Sequence, residues 1–281
     1  MSLLDLVLLK TRLGELAGRF DVDALAVCDS TSSELMRRAD AGAPAGTVIV
    51  ADRQTAGRGR RGRQWSSSPE RSLTFSVLWR FAASPARLGG LSLAVGVALA
   101  RALETLGARG IGLKWPNDVL VVTKDGDYAK LAGVLVELVS DRRGCQAVIG
   151  IGLNLGQPAE ALAQPAAGLD QTGLATVERH AVLAAILQEL AAVLECFAEA
   201  GFAALRADWQ DRHIWQQRPV QVLGEGETPL TGLCLGADAD GALLLQTAAG
   251  LQRIYSGDVS LRPAGSALGV RPVENPGTRP A

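Results

Sequence analysis

Arg53-Gln-Thr-Ala-Gly57-Arg-Gly59-Arg60-Arg61-Gly62-Arg63-Gln-Trp65 decides how this chain is read: five arginines and three glycines fall within residues 53–63, with no acidic residue among them. No packed core accommodates that composition. Gly57, Gly59 and Gly62 open backbone conformations closed to other residues and let main-chain N–H groups approach a ligand. Guanidinium forks carry a permanent charge matched to carboxylate and phosphate oxygens. The loop is built to grip an anion.

Gly57-x-Gly59-x-x-Gly62 also spells a dinucleotide fingerprint, which requires a helix opening at its last glycine and an acidic residue about twenty positions on. Trp65-Ser-Ser-Ser-Pro69 follows instead and cannot open a helix at Gly62. A Walker A loop is excluded, because no Gly-Lys-Ser or Gly-Lys-Thr occurs in the chain. A solvated basic loop touching nucleic acid stays open as an alternative.

Composition weakens that alternative. The chain has 281 residues with 28 Lys plus Arg against 29 Asp plus Glu, a net charge of −1, whereas a bulk polyanion binder is usually basic. Its length suits one main domain with a small appendage. Cys28, Cys145, Cys196 and Cys234 are scattered without a CxxC pair, and the histidines are His180 and His213, so neither zinc-ligand spacing nor a disulfide framework is visible. A reduced, cytoplasmic chain is expected. Residues 1–10 lack a basic region and a small-residue cleavage site, and the longest uncharged apolar stretch, Leu88–Ala100, has thirteen residues, short of the roughly eighteen a bilayer demands. A soluble protein with no membrane partner follows.

Outward from the loop, residues 47–51 read as a buried strand entering it. In the strand leaving it, Leu73, Phe75, Val77 and Trp79 alternate with Thr74, Ser76, Leu78 and Arg80. Upstream, residues 3–19 read as an amphipathic helix and 24–28 as a short strand. Thr31 and Glu34 then have capping-box spacing for a helix whose N-terminus also suits a polar ligand head. Downstream, a mostly apolar helix spans 88–106 and a strand spans 111–115. Apolar runs at 119–123 and 131–139 flank a turn at 124–127, and a further strand covers 147–155. Residues 157–175 form a Pro/Gly/Ala-rich loop, and 176–212 carry two helices. Past Arg218-Pro219, short strands near 220, 231, 243, 252 and 259 separated by Gly-rich turns predict a small β-barrel. The class is α+β: a mixed β-sheet catalytic domain with helices over 1–217, a small SH3-like β-barrel over 218–263, and a disordered tail over 264–281.

Five segments taken together, Asp29-Ser30-Thr31, Gln54 through Trp65, Lys114-Trp-Pro-Asn117-Asp118, Lys130-Leu-Ala-Gly133-Val-Leu-Val-Glu137 and Gly150-Ile-Gly-Leu-Asn154, resemble the biotin protein ligases in identity, order and spacing over residues 24–262. No helix-turn-helix segment precedes residue 24, so the resemblance is to the enzyme-only group. It implies that biotin attacks the α-phosphorus of ATP to give biotinyl-5′-AMP, and that a lysine of a biotin carboxyl carrier protein then displaces AMP.

By that resemblance Ser30, Thr31, Ser32, Gln54, Gly57, Arg58, Gly59, Arg60 and Lys130 face biotin. Arg61, Arg63, Trp65, Asn117, Asp118, Lys130 and Asn154 face ATP, and Arg60 and Lys130 are the catalytic pair. Trp115 is expected in the core rather than against the nucleotide. Magnesium is implied alongside ATP, with its ligands unassigned. The partners are biotin, ATP and the carrier domain, with no nucleic acid, and the chain is a monomer or homodimer. A lipoate or octanoate ligase shares the same acyl-adenylate logic and stays open beside the nucleic-acid module.

Overall fold

The computed structural model describes residues 3–123, 125–141, 144–158, 164–174, 176–224, 228–257 and 259–264. The chain runs α1 (Leu6–Leu13), β1 (Asp21–Cys28), α2 (Thr31–Asp40), β2 (Thr47–Gln54), β3 (Ser72–Phe81), α3 (Leu91–Thr105), β4 (Ile111–Lys114), β5 (Asp118–Val122), β6 (Tyr128–Asp141), β7 (Gly144–Asn154), α4 (Arg179–Ala200), α5 (Arg206–Arg212), β8 (Pro219–Gly224), β9 (Leu230–Ala237), β10 (Leu243–Thr247), β11 (Gly250–Ile254) and β12 (Val259–Pro263).

Seven strands form one sheet in the order β1-β2-β3-β7-β6-β5-β4. β1 pairs parallel with β2 and every other neighbour is antiparallel, which makes the sheet mixed. β3 was expected to alternate between a buried and an open face. Nearly all of it is buried, because the sheet is covered on both sides. On one face α2 brings Leu35 against Ile49, Leu78 and Val148. On the other, Phe75, Val77 and Ile149 join the main core with α3 and α4. A central strand clad on two faces loses the period-two signature.

The first helix is shorter than its sequence pattern. Asp5 caps α1 by accepting from Val7 N at 2.8 Å and Leu8 N at 3.1 Å, and Gly14, at φ 58°, ends it in a 3-10 turn over residues 14–19. α4 is long and apolar enough, by length and composition, to cross a membrane. It packs against α3 and α1 and buries Leu183, Ile186, Leu187, Leu190 and Leu194, as a core helix does. The sequence reading stopped at Leu88–Ala100 because Glu189, Glu195 and Glu199 interrupt this longer run.

The second sheet, β11-β10-β9-β8-β12, is antiparallel throughout and supplies the small barrel expected past Arg218. Its attachment is specific. Trp115, fully buried as expected, donates its indole N–H to Gly241 O at 3.1 Å. A Cβ on Gly241 would come within 2.4 Å of Gly90 Cα, so only glycine lets that turn reach the start of α3. His213 lies at the same junction. Its ring stacks on Trp209 with centroids 4.5 Å apart, and Nδ1 lies 3.9 Å from Cys234 Sγ. Lys124 and residues 265–281, part of the expected turn and tail, lie outside the described residues.

Burial lowers the His213 pKa from 6.5 to about 4. The unfolded chain therefore binds the extra proton first, and stability is lost as pH falls through the window between those values. Urea unfolding at pH 7 and pH 4.5 should show wild type losing on the order of 2–3 kcal/mol more than His213→Gln. Equal losses in both proteins would show that the ring does not act this way.

Candidate active site

β1 and β2 end side by side, Cys28 opposite Gln54, so the N-terminus of α2 sits directly above the end of β2. Gln54 Oε1 accepts from Thr31 N at 2.8 Å and from Thr31 Oγ1 at 3.2 Å. Ser76 Oγ donates to Thr31 Oγ1 at 2.8 Å and lies 3.0 Å from Ser32 Oγ. The capping box expected from Thr31 and Glu34 does not form. Ser30 holds the cap position without a side-chain cap bond, Thr31 is spent on Gln54, and Glu34 pairs with Arg37 and Arg38 instead. The helix entrance thus carries buried hydroxyls at Ser30, Thr31 and Ser32, the arrangement that meets a polar ligand head.

The arginine loop leaves β2 and folds back on itself. Trp65 N donates to Gly57 O at 2.9 Å and Gly59 N to Arg63 O at 2.7 Å. A Cβ on Gly57 would lie 2.4 Å from Trp65 O, so this glycine makes the neck of the loop. It opens on an outer cleft rather than on the main cavity. Arg61 at the apex takes φ 60°, ψ 36°, a left-handed conformation that costs a non-glycine residue about 1–2 kcal/mol. Two side chains pin the loop. Arg58 pairs with Glu137 at 2.9 Å. Arg60 donates to Gly257 O at 2.8 Å, to Ser256 O, and to Asn117 Oδ1 at 3.4 Å. The barrel turn at 256–257 is thus tied to the loop, and barrel residues 259–262 line the cavity itself.

Trp65 lies on a glycine floor. Gly133 and Gly152 face each other across β6 and β7, and a Cβ on Gly152 would come within 2.2 Å of the Trp65 ring. The indole N–H is buried with no hydrogen-bond partner among the described residues. Lys130 Nζ stands 5.5 Å from the ring centroid.

Asp118 opens β5 between two ammonium groups, 2.6 Å from Lys130 Nζ and 3.3 Å from Lys114 Nζ. Burial pushes its pKa up, but the two lysines outweigh this and hold it below the usual carboxylate value. Burial lowers Lys114 to about 8 against the partial compensation of Asp118. Asn117 Nδ2 donates to Val134 O at 2.7 Å. Asn154 Nδ2 donates to the Lys130 and Ala167 carbonyls at 3.3 and 3.2 Å, so its amide positions the backbone under Lys130.

These parts enclose a cavity of about 700 Å³. Ser30, Thr31, Ser32, Gln54, Arg58, Gly59, Arg60, Arg61, Arg63, Trp65, Asn117, Asp118, Lys130 and Asn154 all line it, so the structure gathers every sequence-selected site residue except Gly57. Among the described lining residues there are eight cationic side chains and one carboxylate, Asp118. Lys114, Arg71, Arg262 and the hydroxyl of Ser76 were not selected from sequence. Lys114 lay inside a quoted motif. Arg262, on β12, had no local signal and arrives only through packing of the barrel.

The comparisons agree with the geometry. Residues 25–154 match the biotin/lipoate A/B protein ligase family and residues 218–262 the biotin protein ligase C-terminal domain. The chain is 36% identical over 259 residues to the bifunctional ligase/repressor BirA of Escherichia coli, covering 91% of this chain and 78% of that one. It is 34% identical over 252 residues to the biotin–[acetyl-CoA-carboxylase] ligase of Mycobacterium tuberculosis, covering 88% and 91%. The structure of the Aquifex aeolicus biotin protein ligase in complex with biotin and ATP superposes with a TM-score of 0.73 at 33% identity, covering 87% of this chain and 99% of that one. The chain belongs to the biotin protein ligase family.

Proposed function

We propose that this enzyme joins biotin to one lysine of a biotin carboxyl carrier domain through biotinyl-5′-AMP. The observation that carries the reading is the single cavity that has buried hydroxyls at one end and a cationic wall around Asp118 and Lys130 at the other. The hydroxyl end suits a neutral polar ring. Thr31, Ser30 and Ser32 with Gln54 supply donors and acceptors for the ureido group of biotin. The cationic end suits the reaction, because a carboxylate attacking a phosphate is repelled until fixed positive charge offsets both.

Lys130 is placed in this reading on the biotin carboxylate and the α-phosphate, held by Asp118 so that its ammonium points into the cavity. Arg58 and Gly59 cover biotin, and Arg60 closes the loop over the intermediate. Arg61 and Arg63, with Trp65, Asn117, Asp118 and Asn154, form the nucleotide side. Magnesium enters as MgATP. Such an ion is commonly held by substrate phosphates with one or two carboxylates, a role Asp118 at the cavity wall is placed to share. Among the described residues no two cysteines form a disulfide, in keeping with a cytoplasmic enzyme. Exchange of labelled pyrophosphate into ATP tests the reading: it should require biotin, and exchange driven equally by lipoate or octanoate would contradict it.

Lys130→Ala should lower that exchange by about 10²- to 10³-fold, the effect of deleting a charge-stabilising donor. Its unfolding free energy should fall by less than about 2 kcal/mol, since Lys114 still faces Asp118. Unchanged exchange would remove Lys130 from the chemistry.

Arg60→Gly deletes the bonds to residues 256–257, each charge-assisted hydrogen bond being worth roughly 1.5–3 kcal/mol, and frees the loop backbone. The variant should still form adenylate but release it. A streptavidin blot with biotin, ATP and albumin should then show more albumin labelling than wild type gives. Equal labelling would mean that Arg60 does not retain the intermediate.

A further inference from the structure

One carboxylate serves two lysines at the cavity wall, one of them buried. Lys130 has the closer contact with Asp118, 2.6 Å against 3.3 Å, and its side chain is 20% exposed against 8% for Lys114. The charged groups facing Lys114 are Asp118 from β5, Lys130 from β6 and Arg262 from β12, two cations against one shared anion. The Trp215 ring, its centroid 5.5 Å from Nζ, contributes a π-face but no full charge. In this setting Lys114 is the ammonium most easily relieved of its proton, and burial brings it to about 8.

Transfer needs such a group. The acceptor lysine has an ordinary pKa of about 10.4, so at neutral pH well under 1% of it is nucleophilic. The described cavity wall holds no histidine. Arginines do not give up their protons, and Asp118 is held ionised below the usual carboxylate value, which makes it a weak base.

We propose that Lys114, as the free amine, accepts the proton of the incoming acceptor lysine in the transfer half-reaction, a role that rests on the biotin-ligase reading above. The Lys114 Nζ lone pair takes one proton from the acceptor ε-ammonium. The freed ε-amine lone pair attacks the acyl carbon of biotinyl-5′-AMP, and the bond from that carbon to the phosphate oxygen breaks with its electron pair leaving on AMP. The second proton of the new amide nitrogen passes to solvent, and Lys114 returns its own proton to solvent before the next cycle.

The test separates this role from simple support of Asp118. Wild type, Lys114→Arg and Lys114→Met are loaded with biotinyl-5′-AMP and mixed in single turnover with either a biotin carrier domain or hydroxylamine, which is already a free amine at neutral pH. Thermal melts identify which variants fold as wild type does. In those variants the ratio of carrier transfer to hydroxylamine capture should fall on the order of 100-fold, the scale of a lost general base. Wild-type carrier transfer should rise with pH and level off above about 8, while hydroxylamine capture stays flat. A ratio within two-fold of wild type in a folded variant, or wild-type transfer that keeps climbing toward pH 10, would overturn the proposal. Failure of loaded wild type to label the carrier at all would instead overturn the biotin-ligase reading.

Discussion

Asp118 is the constraint on which the site depends. A carboxylate buried at the start of β5 is stable as an anion only if cations meet it there, and Lys130 and Lys114 do so from two neighbouring strands. That requirement fixes both lysine side chains at one wall of the cavity before any ligand enters. Ions held in advance lose little reorganisation energy when a phosphate arrives, which is the condition for charge stabilisation to accelerate a reaction. The surrounding arginines add charge, and among the described lining residues Asp118 is the one carboxylate, shared by these two lysines.

Closure depends on a second contact, between parts distant in sequence. Arg60 reaches the carbonyls of Ser256 and Gly257, and Arg262 comes into the cavity from the last barrel strand. The barrel in turn is set against the catalytic sheet by Trp115 and Gly241, and the Leu113–Ile214 backbone bond anchors the segment that leads into it. The small C-terminal sheet is thus a wall of the reaction chamber. An acyl phosphate must be kept from water and from stray amines, and a wall joined to the Gly-rich loop through Arg60 serves that end.

Most of this was legible in the chain because it is carried by local residue identity. The Gly/Arg loop, the Ser-Thr-Ser helix entrance and Lys114-Trp-Pro-Asn-Asp118 each announce a polar function inside an apolar context, and the run of strands with few helices between them announces a mixed sheet. What was not legible is what tertiary packing decides. Thr31 looked like a helix cap, but Gln54 and Ser76 claim its hydroxyl. Gly57 gave no sign that the return of Trp65 would make it the neck of the loop. Lys114 carried no sign of its burial, and Arg262 lay in a segment whose period spoke only of a strand. β3 hid its environment because both of its faces are covered.

A crystal structure with a non-hydrolysable sulfamoyl analogue of biotinyl-5′-AMP tests the account most directly. The ureido ring should lie among Ser30, Thr31 and Gln54, with the sulfamoyl oxygens within hydrogen-bond reach of Lys130 while Asp118 still contacts Lys130 and Lys114. The opposite orientation, with adenine at the α2 entrance, or a Lys130 turned away from both Asp118 and the sulfamoyl group, would contradict it.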